Sequence, residues 1–126
     1  MSPAGSPPVG PYSPVLRSGD WVVTSGQIGV AAGPDGTPAV VPGGTVAELR
    51  QALDNLSAVL AGEGATLGDV VKTTLFLVDM ADFADVNAAW VAAFGDHRPT
   101  RSAVAVAALP LGARVEVEAW ARAPRP

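Results

Sequence analysis

The sequence predicts an α+β fold: a mixed β-sheet of five or six strands with two helices packed on one face. Three observations predict it. Two segments carry apolar residues at helical spacing, each opened by a capping side chain and closed by glycine. Several short runs rich in Val, Ile, Thr and Ala lie between turn clusters, as strands do. Proline, twelve residues of the 126, is absent from 43 to 98. That block should hold the longest regular elements, because proline removes a donor and breaks interiors.

Residues 1–9 (MSPAGSPPV) read as a flexible N-terminal arm ahead of a single domain over residues 10–126. Val15–Arg17 and Trp21–Ile28 flank Ser18-Gly19-Asp20 and predict a hairpin with a three-residue loop. Gly33 to Pro38 is a turn cluster, and Ala39–Val41 follows as a short strand. Thr45 with Glu48 makes a capping box, and Val46, Leu49, Leu53, Leu56 and Leu60 continue it as an apolar face until Gly62 and Gly64. Val70–Val78 is β-branched and apolar, a strand. Asp82 with Asp85 opens a second helix, whose face is Phe83, Val86, Trp90 and Phe94, and Gly95 ends it. Ser102–Ala108 and Arg114–Arg122 are the last two strands, joined by Leu109 to Ala113.

Charge is scarce. Only 16% of residues are charged, against roughly a quarter in ordinary domains, although a small domain has the most surface per residue. Two helices can cover only one face of the sheet. Val70–Val78 nevertheless reads as apolar on both faces, with Val71, Leu75 and Leu77 on one and Val70, Phe76 and Val78 on the other. Ser102–Ala108 is likewise uncharged on both, and such strands belong in sheets buried on two sides. The missing cover is another subunit, so the chain is expected to be a homo-oligomer packed sheet to sheet.

Composition excludes several functions. The net charge is −4 with eight scattered basic residues, Lys72 being the sole Lys, so a nucleic-acid groove is not expected. Cys is absent and His97 is the one His, which removes disulfides, thiol catalysis and a multi-histidine metal cage. No stretch is apolar enough to span a membrane, and Met1–Leu16 lacks the layout of a signal peptide. The expected address is cytoplasmic. Gly43-Gly44-Thr45 lacks the Gly-Lys of a phosphate-binding loop, and no G-x-S-x-G elbow exists.

Few side chains remain for chemistry. His97 lies in a loop, where solvation is the ordinary role. Arg101 heads a nearly uncharged run (RSAVAVAAL); it either pairs with a surface acid or offers a fork to a substrate carboxylate. Glu116 and Glu118 share a face by strand alternation, either as part of a solvated sheet face with Arg122 or with one of them as a general base or water-positioner. Tyr12, held between prolines in GPYSP, is a core plug or the wall of a ligand cleft. Ser25 and Gly26 interrupt an apolar strand, which marks a bulge or a close backbone approach. Asn87 is a surface polar group or a hydrogen-bonded link, and spacing does not decide between them.

Read together, GPYSP (10–14), VTSGQIG (23–29), RQALDNLSAVL (50–60), DVVKTTLFLVDMADFADVN (69–87), HRPTRSAV (97–104) and LPLGARVEVEAWA (109–121) resemble the RidA family. These are the reactive-intermediate deaminases of the YjgF-type superfamily, and the likeness runs in order from about Gly10 to Ala121. The resemblance implies a chorismate-mutase-like fold, a homotrimer with a barrel-like core, and ligand sites in clefts between subunits. It implies hydrolysis of 2-enamine and 2-imine acids, such as 2-aminoacrylate and its imine, to 2-oxo acids and ammonia, with no metal or cofactor. By the same resemblance Arg101 grips the substrate carboxylate and Glu116 holds the attacking water. Tyr12, Ser25, Gly26 and Asn87 line the cleft, and a backbone carbonyl near Ala103 accepts from the nitrogen. Many relatives carry Cys where this chain has Ala103, which leaves substrate choice open. Alternatives are a binding module that senses small carboxylic acids in the same cleft, and a hydrolase dedicated to another imine-like compound. The ribonuclease label given to some relatives is disfavoured by the acidic charge.

Overall fold

The strand that organises the molecule is the last one. In Val115–Arg122, Val115, Val117, Ala119 and Ala121 alternate with Glu116, Glu118, Trp120 and Arg122, so one face is wholly apolar and the other polar or aromatic. A computed structural model describes residues 10–125 and puts that strand in the middle of a six-stranded sheet. The expected arm at residues 1–9 lies outside the described residues.

The elements run β1 (Val15–Ser18), β2 (Trp21–Thr24), β3 (Gln27–Ile28), β4 (Val30–Ala32), β5 (Pro38–Val40), α1 (Thr45–Ala61), β6 (Val70–Leu77), α2 (Phe83–Phe94), β7 (Thr100–Ala105) and β8 (Val115–Arg122). The sheet order is β1-β2-β8-β6-β7, with β3 also paired to β8. Only β6 and β7 are parallel, joined through α2, and the other pairs are antiparallel. This is the predicted α+β arrangement. Leu49, Leu53, Leu56 and Leu60 of α1 and Val86, Trp90 and Phe94 of α2 form one core with Leu75, Leu77, Val115, Val117, Ala119 and Ala121. Both helices therefore lie on the same side of the sheet.

Several local expectations are corrected. The first hairpin turns in two residues, Gly19-Asp20, because Ser18 pairs with Trp21. The strand expected over Trp21–Ile28 breaks at Ser25-Gly26 into β2 and β3. The short strand after the turn cluster pairs with β4 in a separate two-stranded sheet. The last parallel strand starts at Thr100 and stops at Ala105. The capping box at Thr45 does not form. Gly44 is the N-cap of α1, and tertiary partners take both side chains instead: Thr45 Oγ1 donates to Asp82 Oδ2 at 2.6 Å, and Glu48 Oε1 accepts from the Arg114 amide at 2.8 Å. Asp82, engaged by Thr45 and Arg114 (3.3 Å), makes no side-chain cap for α2.

The faces of β6 also differ from strict alternation. A bulge between Val70 and Lys72 adds a residue and reverses the parity beyond it. Val70, Thr73, Leu75 and Leu77 face the helices, whereas Val71, expected on the same face as Leu75 and Leu77, lies apart from them and is 44% exposed. Thr74 and Phe76 face away with Glu118 and Glu116, their register partners on β8.

That open face holds Leu16 at 63% exposure, Trp21, Trp120 and Val104. The two indoles meet edge to face at 6.2 Å, with Lys72 Nζ 6.0 Å from the Trp120 ring centre. Among the described residues no helix is long and apolar enough to cross a membrane.

Candidate active site

Arg101 is the second residue of β7 and lies opposite Thr73 of β6. Thr73 is buried on the helix side, so Arg101 points toward α2 rather than to the open face. Its Nη2 donates to Asn87 Oδ1 at 2.8 Å, and its guanidinium carbon lies 5.0 Å from the Trp90 ring and 5.3 Å from Phe83. Phe83, Asn87 and Trp90 follow one another at four and three residues on α2, one stripe of a helix. Spacing puts the three on one stripe, but only the placement of β7 beside α2 makes Arg101 their partner and decides the role of Asn87. Among the described residues no carboxylate lies within ion-pair distance of Arg101. Burial lowers its pKa from the ordinary value, yet a guanidinium stays charged in any protein environment. Arg101 is thus a half-buried, oriented cation with no anionic partner among the described residues.

A cavity of about 400 Å³ opens beside it, lined by Phe83, Asn87, Trp90, Val91, Arg98, Pro99 and Arg101. Ala103 lies two residues along on the same face, half-buried against the core and opposite Leu75. Because β7 is a sheet edge, part of its backbone has no strand partner.

Glu116 belongs to the other face. It pairs with Phe76 on one side and Ile28 on the other, and its carboxyl lies against Gly26: a Cβ on that glycine would come within 2.6 Å of Glu116 Oε2. Glycine at the strand break is what lets the carboxyl settle there. Burial, and then repulsion from Glu118, raises the Glu116 pKa above the ordinary 4.5. Ser25 ties the preceding turn to this place, donating from Oγ to Ser13 O at 2.6 Å and from its amide to Pro14 O at 2.9 Å. Tyr12 in that turn is 46% exposed, so it is not a core plug.

The expected residues therefore gather into two groups. Arg101, Asn87 and Ala103 stand at the helix side of the β7 edge. Glu116, Gly26 and Ser25 stand on the open face, with Tyr12 in the turn that Ser25 holds. His97 joins neither, and it is not merely solvated: its Nε2 is 2.6 Å from Val70 O and its ring packs near Phe94. Arg98, which sequence reasoning passed over, lines the Arg101 cavity.

Comparison with known proteins agrees with this architecture. The family described as endoribonuclease L-PSP matches residues 4–123. The 2-iminobutanoate/2-iminopropanoate deaminase of Escherichia coli K12 is 42% identical over 116 residues, covering 90% of this chain and 88% of that protein. The protein of the same name from Mus musculus is 43% identical over 113 residues, covering 90% and 82%. The crystal structure of RidA from the Antarctic bacterium Psychrobacter sp. superposes with a TM-score of 0.84 at 36% identity, covering 94% of this chain and 93% of that one. With nearly its whole length matched in sequence and in fold, the chain belongs to the endoribonuclease L-PSP family, the group that includes RidA.

Proposed function

We propose that the chain is a hydrolytic deaminase of reactive 2-imine and 2-enamine acids, releasing 2-oxo acids and ammonia in the cytoplasm. The relatives named 2-iminobutanoate/2-iminopropanoate deaminase support the reaction class. The observation in the molecule that carries it is Arg101: a cation fixed by Asn87 and two aromatic rings at the wall of a cavity without acidic lining. Such a fork matches the carboxylate of a small acid bidentately.

The chemistry asks little more. An imine carbon is already electrophilic, so holding it beside an oriented water supplies much of the acceleration. Arg101 anchors the substrate carboxylate. Glu116 accepts a proton from water as its oxygen bonds to the imine carbon and the C=N π pair moves to nitrogen. The same carboxyl returns that proton to nitrogen, giving a carbinolamine; it then relays the hydroxyl proton to nitrogen, and the C–N bond breaks so that ammonia leaves as the carbonyl forms. A carboxyl with its pKa pushed up by burial suits both steps, being a stronger base and still able to give the proton back. A carbonyl of the β7 edge near Ala103 accepts from the substrate nitrogen, and Tyr12, Ser25 and Gly26 shape the water side.

Arg101 and Glu116 face opposite sides of one sheet, so a single copy does not assemble this site. The exposed apolar residues of the open face support a homotrimer in which Arg101 of one subunit meets Glu116 of the next. Light scattering should return three times the chain mass of 12.7 kDa. The activity is tested by adding the protein to a threonine or serine dehydratase and following 2-oxo acid release. Acceleration that Arg101→Ala abolishes is expected; no acceleration, or an unaffected variant, overturns the reading.

A further inference from the structure

The distribution of the cations is uneven. Among the described residues Arg17, Arg114, Arg122 and Arg125 lie within 4 Å of carboxylates, whereas Arg50, Lys72, Arg98 and Arg101 do not. Two of these four, Arg98 and Arg101, line one cavity. The chain carries twelve acidic residues against eight basic ones, yet none of the acids lines that space. Like charges placed together without a counter-ion repel, and such a pair is stabilised by an anion that enters.

Arg98 is placed to meet a ligand as well as to hold its own loop. Its Nη1 donates to the carbonyls of Gly95 and His97 at the end of α2, which fixes the plane of the guanidinium. Nε and Nη2 make no bond to the described residues, and together they form the two-pronged edge that a carboxylate takes. Two residues, Pro99 and Thr100, separate Arg98 from Arg101, three steps of chain and at most about 11 Å between Cα atoms, and both side chains reach the same cavity. Its volume, about 400 Å³, lies within the range of ligand pockets of roughly 300–1,000 Å³. It leaves room for a side chain beyond a four-carbon acid.

We infer that this site favours imino acids carrying a second carboxylate on the side chain, with Arg101 holding the carboxylate next to the imine carbon and Arg98 holding the distal one. The inference rests on the proposed deaminase reading and names its substrate class. The bond changes are those already described, since the distal carboxylate takes no part in the hydrolysis.

The experiment compares two imines generated in place by amino-acid oxidases, 2-iminobutanoate and 2-iminoglutarate, with hydrolysis followed as competition against trapping by semicarbazide. The intact protein should hydrolyse 2-iminoglutarate with a kcat/KM at least equal to that for 2-iminobutanoate. Arg98→Gln should lower the dicarboxylate-to-monocarboxylate ratio about tenfold, and Arg98→Lys should restore part of it by keeping the charge. A ratio unmoved by Arg98→Gln, or a protein tenfold slower on the dicarboxylate, overturns the inference. Calorimetric binding of 2-oxoglutarate and 2-oxobutanoate separates the two readings. If neither imine is hydrolysed the deaminase reading fails. Tighter binding of 2-oxoglutarate that Arg98→Gln removes would then still support the ligand class, and equal binding of both acids overturns it.

Discussion

Arg101 and Glu116 lie on opposite faces of one sheet, on strands β7 and β8 that flank β6. Two variants should therefore complement each other. Arg101→Ala and Glu116→Ala, each inactive alone, should regain activity when unfolded together and refolded as a mixture. With random equal mixing, a site that draws one residue from each of two neighbouring copies is intact in about a quarter of cases. Deaminase assay of the mixture reads this directly; activity no higher than the separate variants would mean that both residues come from one chain.

The hold on Arg101 can be taken apart in steps. Under the proposed reading, Arg101→Ala would remove two charge-assisted hydrogen bonds to the substrate carboxylate, each worth roughly 1.5–3 kcal/mol, and should lower kcat/KM at least about 100-fold. Arg101→Lys keeps the charge but loses the planar fork and its stack on Trp90 and Phe83, and should still cost about tenfold. Asn87→Ala leaves the cation in place but frees its Nη2, so the loss should fall on KM more than on kcat. Steady-state kinetics on one imine distinguishes the three.

Two glycines make a contrast between a site and a scaffold. A Cβ on Gly26 would meet the end of the Glu116 side chain, which can swing aside, whereas a Cβ on Gly29 would come within 2.4 Å of the Glu48 carbonyl oxygen in the backbone of α1. Gly26→Ala should fold with a Tm within a few degrees of the parent and lose most of its activity. Gly29→Ala should be destabilised by about 2–3 kcal/mol, because overpacking against backbone has no cheap relief. Thermal melts and activity of both variants, taken together, check the pair.

Glu116 should leave a mark on pH dependence. Its folded pKa is raised above 4.5 by burial, with Glu118 adding repulsion, so the folded state binds this proton more tightly than the unfolded chain. Stability then falls as pH rises through the window above 4.5, and the cost persists at neutral pH. Glu116→Gln should melt higher than the parent at pH 7.5, a gap that closes toward pH 4. Activity should rise with pH as Glu116 ionises, and Glu118→Gln should move that limb of the kcat/KM profile to lower pH.

The sequence by itself determined the elements that rest on local chemistry. The apolar stripes of α1 and α2, the glycine stops, the strand runs and the one-sided face of Val115–Arg122 all follow from spacing that any window of the chain displays. Arg101 and Glu116 were legible as candidates because a charge-poor chain makes each remaining strand charge conspicuous. Competition between distant groups decided what local rules could not. Thr45 and Glu48 have the spacing of a capping box, but Asp82 and Arg114 arrive from other elements and bind them more favourably. Alternation puts Val71 on the face of Leu75 and Leu77, and one bulge in β6 gives that place to Val70 instead. Asn87, Phe83, Trp90 and Arg98 converge on Arg101 only once β7 lies parallel to β6 beneath α2. The separation of Arg101 from Glu116 by a sheet is likewise a property of strand order. Periodicity reports which side of its own element a residue occupies, whereas the face it shares with a residue far along the chain is set by how the strands pair.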